Sequence, residues 1–251
     1  MEEYVQKGLL NTGDIINKGW ELTKKHFPVF LLMGILMFFI SELPGIPFSQ
    51  AYMERFLAYG GIVSQEQWLE LMVTSGEYWS LFKWVCLLSF LCFFIYRYLE
   101  VVYCRMLYAA TEDMKVKISV ELKNARHSFW FYLGVFIVYI ILLYLGIICC
   151  IIPGIFIGIR FMFAPYIAAN HPNLTFSEVF LHSWQITKGH FWKLFWIEIV
   201  SLGILLIGFI CCCVGVLVSI VLVHLMHAYV YKLLSDAHPI LLNTDTEIFE
   251  Q

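Results

Sequence analysis

Residues 192–233 read WKLFWIEIVSLGILLIGFICCCVGVLVSIVLVHLMHAYVYKL, with Lys193, Glu198 and Lys232 as the only formal charges. As a single α-helix this run would be about 60 Å long at 1.5 Å per residue, twice the hydrocarbon core of a bilayer. Its centre, Gly208-Phe209-Ile210-Cys211-Cys212-Cys213-Val214-Gly215, has no polar side chain beyond the thiols but has a glycine at each end. The run therefore reads as two spans, 192–210 and 214–233, joined by a tight turn at the membrane face. Working outward, a fourth span covers 154–169 and a third 129–151, separated by Pro153-Gly154. A second covers 81–103. The first covers 27–40 and ends at Ser41-Glu42-Leu43-Pro44-Gly45. Six spans of mostly apolar residues make an all-α polytopic transmembrane helical bundle.

Composition agrees. Apolar residues are 61% and charged residues 14%, against about 25% charged in an ordinary soluble domain, and mean hydropathy is +0.77. The net charge of −3 gives no basic excess for nucleic acid, so none is expected as a partner. Glu2, Glu3, Asp14 and Glu21 among the first 27 residues exclude a secretory signal, and the first span is expected to act as an uncleaved anchor. The whole chain, 1–251, reads as one membrane domain: interfacial helix and span 1 (1–41), an acidic outer loop (42–80), span 2 (81–103), an inner segment (104–128), spans 3 and 4 (129–169), an inner interfacial helix (170–191), spans 5 and 6 (192–233), and a tail (234–251).

Basic residues orient these spans. Lys7, Lys18, Lys24, Lys25, Arg97, Arg105, Lys115, Lys117, Lys123, Arg126, Lys188, Lys193 and Lys232 fall on one side, against Arg55 and Lys83 on the other. Both termini are expected in the cytoplasm. In the outer loop, Ser64 followed by Gln67 fits a capping box, and Trp68, Leu69, Leu71 and Met72 suggest a short surface helix.

Two segments match in register. Asp14-Ile15-Ile16-Asn17-Lys18-Gly19-Trp20-Glu21-Leu22-Thr23-Lys24-Lys25-His26-Phe27 aligns with Glu178-Val179-Phe180-Leu181-His182-Ser183-Trp184-Gln185-Ile186-Thr187-Lys188-Gly189-His190-Phe191. A third, weaker copy spans 122–130. The acid suits a helix N-terminus, and Thr175 with Glu178 forms a capping box. Each copy reads as an interfacial amphipathic helix preceding span 1, 3 or 5, so that the chain is three helix-plus-hairpin repeats. Trp20, Lys24, His26, Trp184, Lys188 and His190 are its interfacial anchors.

The stretch Ile152-Pro153-Gly154-Ile155, Arg160-Phe161, Phe163-Ala164-Pro165, Asn170-His171-Pro172, Phe176-Ser177-Glu178 and Ser183-Trp184 through Thr187-Lys188-Gly189-His190-Phe191-Trp192 resembles a bacterial integral-membrane family. That family includes the membrane domain of glycerophosphoryl diester phosphodiesterases and related uncharacterised inner-membrane proteins. The resemblance implies a six-span inner-membrane protein. It does not imply phosphodiesterase activity, because the catalytic barrel of those fusions has no counterpart here.

Charged and titratable groups inside spans are expensive and mark candidate sites. Arg160 in span 4 and Glu198 in span 5 are the first two. They would pair directly, or Arg160 would meet a lipid phosphate or a water-filled cavity. His224 and His227, three apart on span 6, share a face. With Glu198 they would bind a metal or relay protons, or simply make interhelical hydrogen bonds. Arg97, Glu100 and Arg105 read as one interfacial charge cluster. Pro165 would kink span 4. Gly154 and Gly158 form a GxxxG helix contact, and Gly203, Gly208 and Gly215 read as close packing too. Eight cysteines lie in or beside apolar runs, where a thiol acts as a small hydrophobe; a disulfide between Cys149-Cys150 and Cys211-Cys212-Cys213 is the alternative. Motifs of hydrolases, nucleotide-binding loops and zinc proteases are missing from the sequence.

The expectation is a non-enzymatic scaffold or accessory subunit that uses no cofactor or metal. It would bind the lipid bilayer and a membrane protein partner or a second copy of itself. A transporter or permease for an ion, lipid or small hydrophobic solute is the alternative, and an intramembrane enzyme acting on lipid a third reading.

Overall fold

The computed structural model describes residues 10–47, 49–50, 53, 57, 66, 76–112, 114, 116 and 118–239. The surface helix expected around residues 64–72 lies outside the described residues. These are all-α: α1 (Thr12–Glu42), a 3-10 turn (Leu43–Gly45), α2 (Gly76–Thr111), α3 (Ile118–Cys149), α4 (Ile151–Phe161), α5 (Ala164–Asn170), α6 (Phe176–Thr187), α7 (Phe191–Ile210) and α8 (Cys212–Ala237). Six helical segments are long and apolar enough to cross a membrane: Thr12–Gly45, Phe82–Thr111, Ile118–Cys149, Ile151–Asn170, Phe191–Ile210 and Gly215–Ala237. Large apolar side chains face outward along them. Ile152 is 80% and Ile210 79% exposed, which suits acyl chains and not water. The chain is an integral membrane protein.

The helices are longer than the spans read from hydropathy. The stretches ahead of the first and third spans do not form separate interfacial helices; they run continuously into their spans as α1 and α3. Only the stretch ahead of the fifth span stands apart, as α6. The inner segment 104–128 is largely helical, because α2 continues to Thr111 and α3 begins at Ile118. Pro28 lies inside α1. Its missing N–H leaves the Lys24 carbonyl without an intrahelical donor, yet the helix continues through it.

The chain divides into two compact units, residues 1–31 with 101–251, and residues 32–100. In the smaller unit, Arg97 pairs with Glu100 at 2.5 Å and its guanidinium lies 4.9 Å from the Tyr96 ring. In the larger unit, α3 packs on α4 and α5, α7 on α8, and α6 on α4 and α5. Its core includes Ile15, Leu22, Phe30, Tyr132, Phe163, Ile186 and Tyr231. Two hairpins cross where glycines face each other. A methyl on Gly154 would strike Ile147, one on Gly146 would press on Gly154, and Gly208 and Gly215 exclude one another's side chains. Gly158 has room for a methyl at ordinary contact with Leu143, and Gly203 faces open space. Among the described residues the close packing expected at Gly203 is not found, and the GxxxG contact is tight at Gly154 and ordinary at Gly158.

Candidate functional site

α4 presents Ile151, Gly154, Ile155, Gly158 and Ile159 on one stripe, the i, i+3, i+4, i+7 spacing of a helix face. With Leu143 and Ile147 of α3 and Phe195 of α7, this stripe lines a partly open cavity of about 680 Å³. The wall is almost wholly apolar. Its polar groups are Tyr139, Tyr166, Glu198 and His227.

Glu198 Oε1 lies 2.8 Å from His227 Nε2. The two atoms are buried and close, without the alignment of a straight hydrogen bond. A carboxylate beside an imidazole can carry a proton on either partner. His224 does not join them. Its Nδ1 lies 3.4 Å from the Tyr103 hydroxyl, with the two rings edge to face at 5.4 Å. Residues three apart on a helix differ by about 60° in direction, enough for His227 to face α7 while His224 faces α2. Among the described residues, no group of three His, Cys, Asp or Glu side chains is placed to hold a metal ion.

The Arg160–Glu198 pair is not formed. Arg160 is off the cavity stripe and faces α6 and the start of α7. Its guanidinium carbon lies 4.8 Å from the Trp184 ring, 5.1 Å from Phe156 and 6.0 Å from Phe191. Its backbone carbonyl is in the last turn of α4, where carbonyls lose their intrahelical donors. Ser183 donates to it at 2.9 Å and Thr187 at 3.4 Å. The charge read as intramembrane and the tryptophan read as interfacial are thus one cluster. α4 ends immediately after, at Phe161, and α5 restarts with Pro165 in its first turn.

The other anchors sit as follows. Trp20 is 45% exposed and Lys24 lies 6.0 Å from its ring. His26 is half-buried and edge-on to Phe30 at 6.3 Å. Lys188 is exposed, whereas His190 is buried with Nδ1 3.2 Å from the Lys188 carbonyl. Arg105 leaves the expected cluster with Arg97 and Glu100. It pairs with Glu121 at 2.9 Å and donates to the Ala169 carbonyl at 2.8 Å, tying α2 to α3 and α5. Lys232 binds Glu112 at 2.7 Å, a tie between α8 and the end of α2 that no local pattern announces. Cys149, Cys150 and Cys211 are free thiols.

Outside the spans, the capping box of α6 is formed: Glu178 N–H donates to Thr175 Oγ1, and Thr175 N–H donates to Glu178 Oε2 at 2.7 Å. The bonds from Thr175 backbone and hydroxyl hold the Glu178 carboxyl below the usual carboxylate range. Burial, reinforced by the charges of His171 and His238, pushes His182 down to about 4. Burial and the neighbouring Arg105 lower His171 as well.

No family model, curated protein or solved structure matches the chain.

Proposed function

We propose that this is a non-enzymatic protein of the bacterial inner membrane, with both termini in the cytoplasm, that serves as a scaffold or accessory subunit by binding a lipid or the apolar segment of a membrane partner. The observation that carries this reading is the cavity between α3, α4 and α7. Its volume of about 680 Å³ falls in the range of ligand pockets, roughly 300–1,000 Å³. Its largely apolar wall, interrupted by Tyr139, Tyr166, Glu198 and His227, suits an amphiphile. The basic bias of the flanks supports the orientation, and the stretch 152–192 supports kinship with the phosphodiesterase-linked membrane family.

Native mass spectrometry of the full chain, gently extracted from its own membrane, tests this by scoring retained proteins and lipids together. One stoichiometric partner or lipid is expected. Gly158→Leu should reduce its retention, because that side chain projects into the cavity with only ordinary contact to Leu143. A wild-type chain that retains neither partner nor lipid overturns the reading.

A transporter is the second reading, favoured by the Glu198–His227 pair in the cavity wall. Proton flux into proteoliposomes, followed with an entrapped pH-sensitive dye, separates the two. Flux lost in Glu198→Gln supports transport; a tight wild-type vesicle supports the scaffold.

A further inference from the structure

We infer that Arg160, held between the rings of Phe156, Trp184 and Phe191, is a binding site for a phosphate ester, a second site distinct from the cavity. A guanidinium is charged at every accessible pH and carries five N–H donors in its plane. The aromatic rings engage it as a cation at 4.8–6.0 Å, but aromatic carbon accepts none of those N–H bonds in the way an oxygen does. Arg160 Nε and Nη1 are buried and find no acceptor among the described residues, and no carboxylate there lies within ion-pair distance. A cation so placed is expensive in a membrane unless an anion joins it.

The surroundings favour an anion from outside the protein. Arg160 lies in the last turn of α4, whose dipole offers partial compensation. Phe191, one of its covering rings, begins α7, whose N-terminus has no side-chain cap. An uncapped helix N-terminus favours negative charge nearby. Trp184 is 37% exposed and Arg160 half-buried, so a phosphate headgroup at the interface meets the edge of the cage and must part its rings to reach the covered Nε and Nη1. A planar fork of donors with aromatic backing fits phosphate oxygens better than a point charge would. A phospholipid headgroup and a soluble phosphate anion share this chemistry, and experiment distinguishes them.

The test uses the purified full chain in an equal mixture of phosphatidylglycerol and a phosphate-free diacylglycerol glycolipid. Native mass spectrometry reads which lipid is retained, and thermal melts with and without inorganic phosphate read the soluble source. The wild type should retain phosphatidylglycerol preferentially, and Arg160→Gln should lose that preference by about tenfold, the scale of one charge-assisted hydrogen bond. Arg160→Lys should keep part of it. Lys18→Gln removes one charge from a half-exposed position on α1 without touching the cage and should keep nearly all of it. Protection by inorganic phosphate without lipid preference assigns the soluble source. Two outcomes overturn the inference: a wild type with neither preference nor protection, which needs no variant to be read, or an Arg160→Gln chain that keeps the wild-type lipid ratio.

Discussion

The segments Asp14–Phe27 and Glu178–Phe191 match in sequence and part company in structure. Both bury the same face: Ile15, Leu22 and Thr23 in one, Val179, Ile186 and Thr187 in the other. Both return a threonine hydroxyl to the carbonyl four residues back, Thr23 to Gly19 at 2.7 Å and Thr187 to Ser183 at 2.8 Å. Both leave a tryptophan partly exposed beside a cation. In the first, that cation is Lys24 on the same helix. In the second it is Arg160, from a different helix. The first runs on into its span, through Lys25 and even through Pro28. The second ends at Thr187, turns extended at Lys188, and passes through Gly189, which aligns with Lys25 and adopts φ +84°. That left-handed backbone is easy for glycine and strained for lysine. The chain is already extended at Lys188, the counterpart of Lys24, so the glycine permits the turn that leaves this segment an independent helix packed on α4 and α5. Once it packs there, its serine and threonine hydroxyls can serve the orphan carbonyl of Arg160.

Exchanging residues between the copies tests this comparison. The largest effect is expected from His182→Lys, which copies Lys18. Lys18 is half-exposed and meets Glu21 at 3.1 Å, but His182 is 7% exposed and its Nε2 has no hydrogen-bond partner among the described residues. An ammonium there should cost about 3–5 kcal/mol, as an uncompensated buried charge does, and chemical denaturation in micelles should show it. Lys18→His should be nearly silent.

Gly189→Lys, which copies Lys25, should destabilise by about 1–2 kcal/mol through its backbone conformation. The reciprocal Lys25→Gly should cost about 1 kcal/mol through helix propensity. If Gly189→Lys instead straightened the chain into one long helix, Trp184 would leave Phe156 and Phe161 and the near-ultraviolet circular dichroism would change.

The buried imidazole also makes stability depend on pH. His182 is depressed to about 4 in the folded chain from an ordinary value near 6.5. The unfolded chain therefore binds more protons between those values. Stability is complete above about pH 6.5, falls as pH drops toward 4, and levels off below. A loss on the order of 1 kcal/mol between about pH 7 and 5 is expected, and His182→Gln should flatten the curve. The smallest effect contrasts the two threonines. Thr187→Val removes one hydroxyl donor, shared among the Ser183 carbonyl at 2.8 Å and the more distant Trp184 and Arg160 carbonyls, and should cost about 0.5–1.5 kcal/mol, the same as Thr23→Val within a few tenths.

What was legible followed from local rules. The six apolar segments and the capping box at Thr175 and Glu178 depend on runs and spacings within one helix, so the sequence alone exposes them. Helix ends were less legible. Hydropathy measures where lipid begins, whereas α1, α2 and α3 extend past that point because their backbone hydrogen bonds continue in water as well as in lipid. The candidate site was legible as a set of residues and not as a set of partners. Arg160, Glu198, His224 and His227 stand out as polar groups in apolar runs. That Glu198 would lie near a histidine of span 6 was expected; that it would not also meet Arg160, and that His224 would turn to Tyr103, carried no signal in spacing. Tyr103 lies 121 residues from His224.

The sequence by itself determined that this chain is an all-α membrane protein with six spans, because burying about 20 apolar residues in lipid is a property of a segment and leaves only helix to satisfy its backbone. The tertiary structure alone decided which helix each polar side chain meets, where the cavity opens, and that Arg160 and Trp184 form one cluster. A helical periodicity names the face a residue lies on. Which neighbour arrives at that face is settled by how the helices pack, and packing is a property of the whole fold.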